Sequence, residues 1–302
     1  MKQIDYSKAN RVKEMEKYIN LLFLVPMLLV FLVFIVIPIG EVFWDSFHNI
    51  KLNGSKTWAG LSNYRKFFQD SKSLLAIKNT AIWVFGGTAA KILLGLFMAL
   101  ILYKNFIGKQ LLTVTMLIPY ATPAAVSCMI WRLMYHPSFG HISQFLKDIG
   151  ILTEEVSFLG SIETSLLAVL IVNVWAVAPF CALNILATMY SIPSYLYEAA
   201  NIDGANPFQQ FFKITLPLIL SNTRTLALLI AIWAFNSFDV IYMMTTGGPA
   251  NSSSILVNLI YQNAFEFNNR GYSAAISVIC FIMLFVFAVL YVKSKKKEES
   301  YE

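Results

Sequence analysis

The stretch YEAANIDGANPFQQFFKITLP, residues 197–217, is a polar segment that separates two strongly apolar runs of the chain. Its residues carry the signals of a helix that stops abruptly. Pro193 and Ser194 mark a start, and Ser194 is a candidate N-cap for a first short helix over 195–203. Gly204 suits the left-handed conformation that ends many helices. The pattern predicts an ordered turn after this helix.

A second helix is predicted to begin directly after the turn. Asn206 is a candidate N-cap, and Pro207 occupies the first helical position, where its missing N–H group costs little. Gln209 stands three residues after the cap and completes an approximate capping box. Beyond Pro217 the sequence becomes apolar again, and the chain is expected to re-enter a membrane there.

The composition supports a membrane protein. Of the 302 residues, 57% are hydrophobic and 13% are charged, whereas soluble domains are about half apolar and about a quarter charged. A helix that crosses the bilayer needs about 20 predominantly apolar residues. Six runs meet this requirement: 19–39, 77–102, 111–135, 166–190, 226–244 and 274–292.

The predicted fold class is therefore all-α, a polytopic membrane protein with six transmembrane helices. The first run follows basic residues, as a cleaved signal peptide would, but its length and its lack of a small-residue cleavage pattern favour a retained span. The polar element 194–217 lies inside a five-span core. The predicted divisions are an N-terminal tail, a first span with a long outer loop, the core, and a basic C-terminal tail: 1–18, 19–76, 77–292 and 293–302.

The distribution of lysine and arginine predicts the orientation, because cytoplasmic segments carry an excess of both. The two tails and the short second loop are rich in these residues, whereas the third and fifth loops have few. The long first loop is an exception, since it carries several cations. We expect a multi-pass protein of the cell (inner) membrane, with both termini and the polar element in the cytoplasm. These flanking residues account for the net charge of +6, which therefore needs no nucleic-acid partner.

The sequence lacks the motifs of an enzyme or an ATPase. Gly108-Lys109 has neither the upstream glycine nor the following hydroxyl of a phosphate-binding loop, and no His-Glu-x-x-His motif is present. A chain of carboxylates through the spans, common in proton-driven carriers, is also missing. Active transport by this chain would need an energy source on another protein. The three cysteines fall in apolar runs and predict packing roles: Cys128, Cys181 and Cys280.

The first predicted helix of the polar element has an acidic surface. Glu198 and Asp203 supply negative charge, and Ala199 and Ala200 leave room for close approach by another protein. A helix that rests on lipid headgroups is expected to have a basic face instead. The acidic face therefore favours docking against a basic protein surface, with lipid contact as the alternative.

Several motifs resemble the membrane subunits of binding-protein-dependent ABC importers. The polar element resembles their EAA signature, through Glu198-Ala199-Ala200, Asp203-Gly204-Ala205, Ile214 and Leu216-Pro217. Two further patterns also look like those of this family: WAGLSNY (58–64), and Pro119 and Pro123 with Trp131. TTGGP (245–249) and GYSAA (271–275) resemble its sugar-type branch, in particular the first permease subunits for maltose and glycerol phosphate.

This resemblance implies a type I ABC importer permease whose polar element is a coupling helix. The implied partners are a second homologous permease subunit in a heterodimer, two ATPase subunits that bind ATP and Mg²⁺, and an extracytoplasmic solute-binding protein. The chain itself would hold no cofactor and would be no enzyme. The implied ATPase-docking residues are Glu198, Ala199, Ala200, Asp203, Gly204, Ala205, Asn206 and Pro207.

The implied cargo is a sugar or oligosaccharide. A glycerol phosphodiester or another polar metabolite is the alternative within the family. A self-sufficient secondary carrier or channel is the alternative from another class, and a membrane-embedded enzyme is a more distant one.

Polar residues inside the predicted spans are candidates for the substrate path, because sugars bind to amides, carboxylates and aromatic faces. Polar groups that hold helices together are the alternative. Lys91 is expected to face the interior with a partner, and we hypothesise an ion pair with Asp239; a lysine solvated in the translocation cavity is the rival. The candidates are Asn173, Trp175, Asn184, Asn236, Asp239 and Lys91.

The outer segment 247–267 carries glycine, proline, serines and aromatic residues. The resemblance suggests contact with the delivering binding protein. An ordered loop packed on the helices is an equal alternative.

Overall fold

The computed structural model describes residues 23–151 and 154–299. The predicted N-terminal tail and the first four residues of the first predicted span lie outside these ranges. Within them the chain is mainly helical, and a two-stranded antiparallel hairpin pairs β1 (His48–Ile50) with β2 (Lys56–Trp58).

The helices are numbered in chain order. They are α1 (Phe23–Asp45), α2 (Ser62–Gln69), α3 (Ser71–Tyr103), α4 (Lys109–Ala121), α5 (Ala124–Met134), α6 (His141–Asp148), α7 (Ser165–Tyr190), α8 (Ser194–Ile202), α9 (Pro207–Phe235), α10 (Asp239–Thr245), α11 (Leu256–Tyr261) and α12 (Arg270–Glu299).

Five of these helices are long and apolar enough to cross a membrane: α1, α3, α7, α9 and α12. The pair α4 and α5 makes a sixth span if the two are counted together, although they meet at 97°. Pro123 explains the break, because it has no N–H group and forces Thr122 into an extended conformation with ψ of 131°. The predicted all-α, six-span fold is confirmed.

The predicted boundaries of the fifth span are wrong. Hydropathy predicts this span at 226–244, but α9 runs unbroken from Pro207 to Phe235, over 29 residues. At 1.5 Å per residue this helix is roughly 44 Å long. The first half of this helix is not recognised from hydropathy because it contains the polar residues 221–225. These residues lie within the helix, and several of them face a cavity.

Pro217 does not mark the start of a span either, since it lies inside α9. A wider π-helical turn, Phe211–Thr215, precedes it. Proline cannot bond to the carbonyl four residues earlier, and a π-helical turn accommodates such a local change in the bonding pattern. The same arrangement occurs in α1, where the π-helical turn Leu32–Val36 precedes Pro38.

The centre of the bundle is a close contact between α3 and α7. A Cβ atom at Gly95 would lie 2.6 Å from Cβ of Cys181 and 3.0 Å from the backbone nitrogen of Ala182. Glycine at position 95 therefore lets the two helices approach. Cys128 and Cys181 are both buried in apolar clusters of the bundle.

The outer-loop motif 58–64 forms hydrogen bonds with the chain just after the end of α1. Nδ2 of the buried Asn63 donates to the carbonyl oxygens of Ser46 at 3.0 Å and His48 at 3.1 Å. A Cβ atom at Gly271 would overlap the same His48 carbonyl. Residues of the 58–64 and 271–275 motifs therefore meet at this end of the bundle, where they have a packing role.

Candidate functional site

The corner between α8 and α9 (residues 194–210) is closed by a turn with two backbone hydrogen bonds. Gly204 has φ of +78° and follows the end of α8. The N–H of Ala205 donates to the carbonyl of Ala200 at 2.9 Å, and the N–H of Gly204 donates to that of Asn201 at 3.1 Å. This is a Schellman ending, so the predicted left-handed terminator is confirmed.

The start of α9 is closed by the predicted capping box. The Gln209 N–H donates to Oδ1 of Asn206, and the Asn206 N–H donates to Oε1 of Gln209, both at 2.9 Å. Nε2 of Gln210 donates to Oδ1 of Asn201 at 2.6 Å and to the Ala205 carbonyl at 3.0 Å. These hydrogen bonds link the end of α8 to the start of α9.

The start of α8 differs from the prediction by one residue. Pro193, not Ser194, is the N-cap, and Ser194 is already helical. The fixed φ of proline, here −62°, and its missing N–H group suit the position that precedes a helix.

The candidate docking residues of the corner are mostly exposed. Ala200 and Ala205 are half-buried, and the others are exposed. Among the described residues, neither Glu198 nor Asp203 takes part in an ion pair. Ile202 is 87% exposed beside them. The surface therefore combines unpaired negative charge with accessible apolar area.

The corner is also tied to the ends of the long helices. The Tyr197 hydroxyl lies 2.9 Å from Oγ1 of Thr215 in α9. Nζ of Lys109 donates to the Tyr190 hydroxyl at 2.8 Å, and the rings of Tyr190 and Tyr103 are 5.5 Å apart. The beginning of α4 and the ends of α3 and α7 thus lie at the same end of the molecule as the corner.

The candidate path residues do not converge on one point. Asn173 is buried and its Oδ1 has no hydrogen-bond partner among the described residues. Trp175 packs edge-to-face on Trp131 at 5.3 Å. Asn184 and Asn236 are exposed, and each donates to the carbonyl four residues earlier in the chain.

The hypothesis of a Lys91–Asp239 ion pair is wrong. Neither residue forms an ion pair with any described residue. Asp239 is exposed at the start of α10, beyond the end of α9, and so does not lie within the fifth span. Lys91 packs inside the bundle and is only 2% exposed, so a lysine solvated in an open cavity does not describe it in this conformation.

A cavity of about 560 Å³ between α7 and α9 contains polar residues that the sequence analysis missed. The predicted path residue Asn184 lines it too, together with Thr188 one turn further along α7. The other polar residues lie in the stretch 221–225, which hydropathy places before the fifth span. A helical projection of 207–235 would have shown their common face. The polar lining residues are Asn184, Thr188, Asn222, Thr223 and Thr225.

Arg224 is a charged residue of the fifth span that was missed for the same reason. It lines a different groove of about 510 Å³ between α3, α9 and α12.

Three aromatic side chains lie near the end of the polar cavity that points away from the corner. Phe180 stacks on Tyr120 at 5.2 Å and packs against Trp233 at 5.5 Å.

The outer segment 247–267 packs on the other helices as an ordered loop that leads into α11 and the π-helical turn Gln262–Glu266. Ser252, Ser253 and Ser254 are buried, and Oγ of Ser253 lies 2.7 Å from Oγ1 of Thr245. The end of the segment differs, since Phe265 is 70% exposed. Packing thus explains most of the segment and leaves its end as an accessible apolar surface.

Comparisons with known proteins agree on one family. A family described as binding-protein-dependent transport system inner membrane component matches residues 91–297. The trehalose/maltose transport system permease protein MalF of Thermococcus litoralis is 33% identical over 291 residues, 96% of this chain and 98% of the relative. The sn-glycerol-3-phosphate transport system permease protein UgpA of Escherichia coli is 32% identical over 284 residues, 92% and 95% of the two chains.

The fold also matches a solved structure. It is a bacterial alginate ABC transporter in complex with an alginate pentasaccharide-bound periplasmic protein. One of its chains matches with a TM-score of 0.79 and 20% identity, over 92% of this chain and 94% of that one. At this identity the match concerns the fold alone.

Proposed function

The chain belongs to the family of inner membrane components of binding-protein-dependent transport systems, the permeases of ABC importers, and on this premise we propose how it is coupled and what it carries. Its corner at 194–210 docks on a cytoplasmic ATPase subunit. A second, homologous permease subunit completes the pathway, and two ATPase subunits bind ATP and Mg²⁺. A solute-binding protein delivers the cargo from outside, and both termini face the cytoplasm.

One observation supports the coupling role above all: the corner is ordered, exposed and continuous with a transmembrane span. The capping box and the Schellman turn fix the angle between α8 and α9. Since α9 continues to Phe235 without a break, a displacement of the corner is transmitted to the fifth span. An ATPase that prefers one position of the corner when ATP is bound would thereby favour one state of the pathway.

The cargo we propose is a sugar or oligosaccharide. The MalF relative is named for trehalose and maltose, and the UgpA relative for glycerol phosphate, at nearly equal identity. The aromatic group around Phe180 supports a carbohydrate, because sugar rings lie against aromatic faces and aromatic side chains carry apolar area with defined geometry. A glycerol phosphodiester is the second candidate.

Reconstitution tests this proposal against a self-sufficient carrier. Proteoliposomes with the chain alone under an ion gradient are compared with proteoliposomes that hold the complete complex, binding protein and ATP. The probes are labelled maltose, trehalose and sn-glycerol 3-phosphate. We expect uptake only by the complete complex with ATP, and uptake of a sugar in preference to the phosphate. Uptake by the chain alone would refute the coupling role, and uptake of the phosphate alone would refute the sugar.

A further inference from the structure

The cavity between α7 and α9 extends from beside the aromatic group toward the corner. Ile232, next to Trp233, lines one end and Asn222 lines the other, ten positions and roughly 15 Å apart along α9. The volume of about 560 Å³ is within the range of small-molecule sites, about 300–1,000 Å³. Its polar side chains therefore lie on the corner side of the aromatic group.

Its polar groups have unused hydrogen-bonding capacity. Oγ1 of Thr223 is buried and has no partner among the described residues. The Asn222 side chain forms no hydrogen bond with any residue in the same part of the chain. Asn184 uses Nδ2 to bond the Phe180 carbonyl at 2.8 Å, which leaves its Oδ1 free to accept. A polar group without a hydrogen-bond partner inside a membrane protein costs free energy unless it meets water or a polar ligand.

Threonine adds further acceptors to this set. Oγ1 of Thr188 donates to the Asn184 carbonyl at 3.0 Å, and Oγ1 of Thr225 donates to that of Ser221 at 3.2 Å. A hydroxyl that donates can still accept through its oxygen. The cavity therefore offers both donors and acceptors, which matches sugar hydroxyls because each of these also donates and accepts.

The cavity lining carries no charge. Every lining residue in the described part of the chain is an amide, a hydroxyl or an apolar side chain. Arg224 stands between two of them in sequence, but the helical turn directs it to the groove beside α3 and α12. A phosphate would lose its hydration here without gaining a cation, which is unfavourable. The lining therefore selects neutral ligands.

We propose that this cavity is a second subsite, on the corner side of the pathway, that binds the hydroxyls of an uncharged sugar during its release. This inference rests on the proposed function and refines it. It assigns binding roles to Asn222, Thr223 and Thr225 in addition to Asn184, and it favours a neutral carbohydrate over a glycerol phosphodiester.

The test uses the complete transporter in proteoliposomes. Thr223→Val is nearly isosteric, and it removes a hydroxyl that has no partner among the described residues, so folding should be unaffected. It is combined with Asn222→Ala. Thr113→Val is the matched control, because this half-buried threonine bonds only the Lys109 carbonyl of its own helix at 2.8 Å. Uptake of maltose and trehalose is measured beside the ATP hydrolysis that the sugar-loaded binding protein stimulates.

We expect the double variant to import the sugar at least about fivefold more slowly, since two hydrogen bonds to the ligand are lost, with ATP hydrolysis unchanged. The control should behave as the wild type. Unchanged uptake by the double variant would overturn the subsite while the proposed function stands. If the wild type imports sn-glycerol 3-phosphate and neither sugar, both the subsite and the proposed sugar cargo are overturned. A parallel loss of uptake and ATP hydrolysis would assign these residues to assembly and also overturn the subsite.

Discussion

Replacement of Gly204 by valine tests whether the geometry of the corner matters for coupling. Position 204 has φ of +78°, and a Cβ atom there would meet no atom of the described residues within 4 Å. The cost of a side chain is therefore conformational and not steric crowding. An L-residue in the left-handed region costs about 1–2 kcal/mol, and a β-branched residue such as valine is a clear outlier there.

The strain competes directly with the turn that it distorts. The two Schellman hydrogen bonds, from Ala205 to Ala200 and from Gly204 to Asn201, contribute about 0.5–1.5 kcal/mol each. The strain thus offsets about the whole stabilisation of the turn. With this stabilisation offset, the docking geometry falls to about one half of the population, and apparent affinity for the ATPase falls about twofold. We expect at least that decrease in sugar imported per ATP hydrolysed.

The assay compares this variant with Gly108→Val. Gly108 also has a left-handed φ, +89°, and no heavy atom of the residues covered by the structure lies within 4 Å of its Cβ position. It precedes α4 and lies outside the corner. Both variants should lose similar thermal stability. Only Gly204→Val should lower the transport ratio in the assembled complex. Equal ratios for the two variants and the wild type would refute the argument that the turn geometry controls coupling.

Three further substitutions have definite expected outcomes. Glu198→Lys reverses an exposed charge on the corner and should uncouple ATP hydrolysis from uptake. The control, Glu163→Lys, changes an exposed residue before α7 and should leave coupling unchanged. Normal coupling in the Glu198→Lys variant would contradict docking. Gly95→Ala should destabilise the bundle by about 1–3 kcal/mol through overpacking, and Gly86→Ala, with no contact closer than 4.0 Å, should not; thermal unfolding distinguishes them. Lys91→Met should raise the melting temperature, because it removes a buried ammonium without an ion-pair partner among the described residues; a lower value would indicate a partner.

The corner could be predicted from sequence because its determinants are local. Gly204 ends a helix through its own backbone, and Asn206 and Gln209 cap one another three residues apart. Neither feature depends on distant parts of the chain. The number of spans was equally accessible, since hydropathy reports burial in lipid regardless of how the helices pack.

The fifth span and the polar cavity could not be located in the same way. A hydropathy window treats residues such as Asn222 and Thr223 as a boundary, although they lie in the middle of a helix. Only the positions of α7 and α9 show that they share a cavity. The error on Lys91 and Asp239 has the same origin, because pairing depends on depth, and the depth of Asp239 depended on where the fifth span ended.

The most direct test of the account is to identify what touches the corner in the assembled transporter. A photoreactive benzoylphenylalanine is placed at Asp203, and the control carries it at Phe265, on the exposed end of the outer segment. The cross-linked partner is identified by mass. We expect the corner to capture an ATPase subunit and the control to capture none. Capture of the solute-binding protein at Asp203, or no capture of the ATPase there, would contradict docking at the corner.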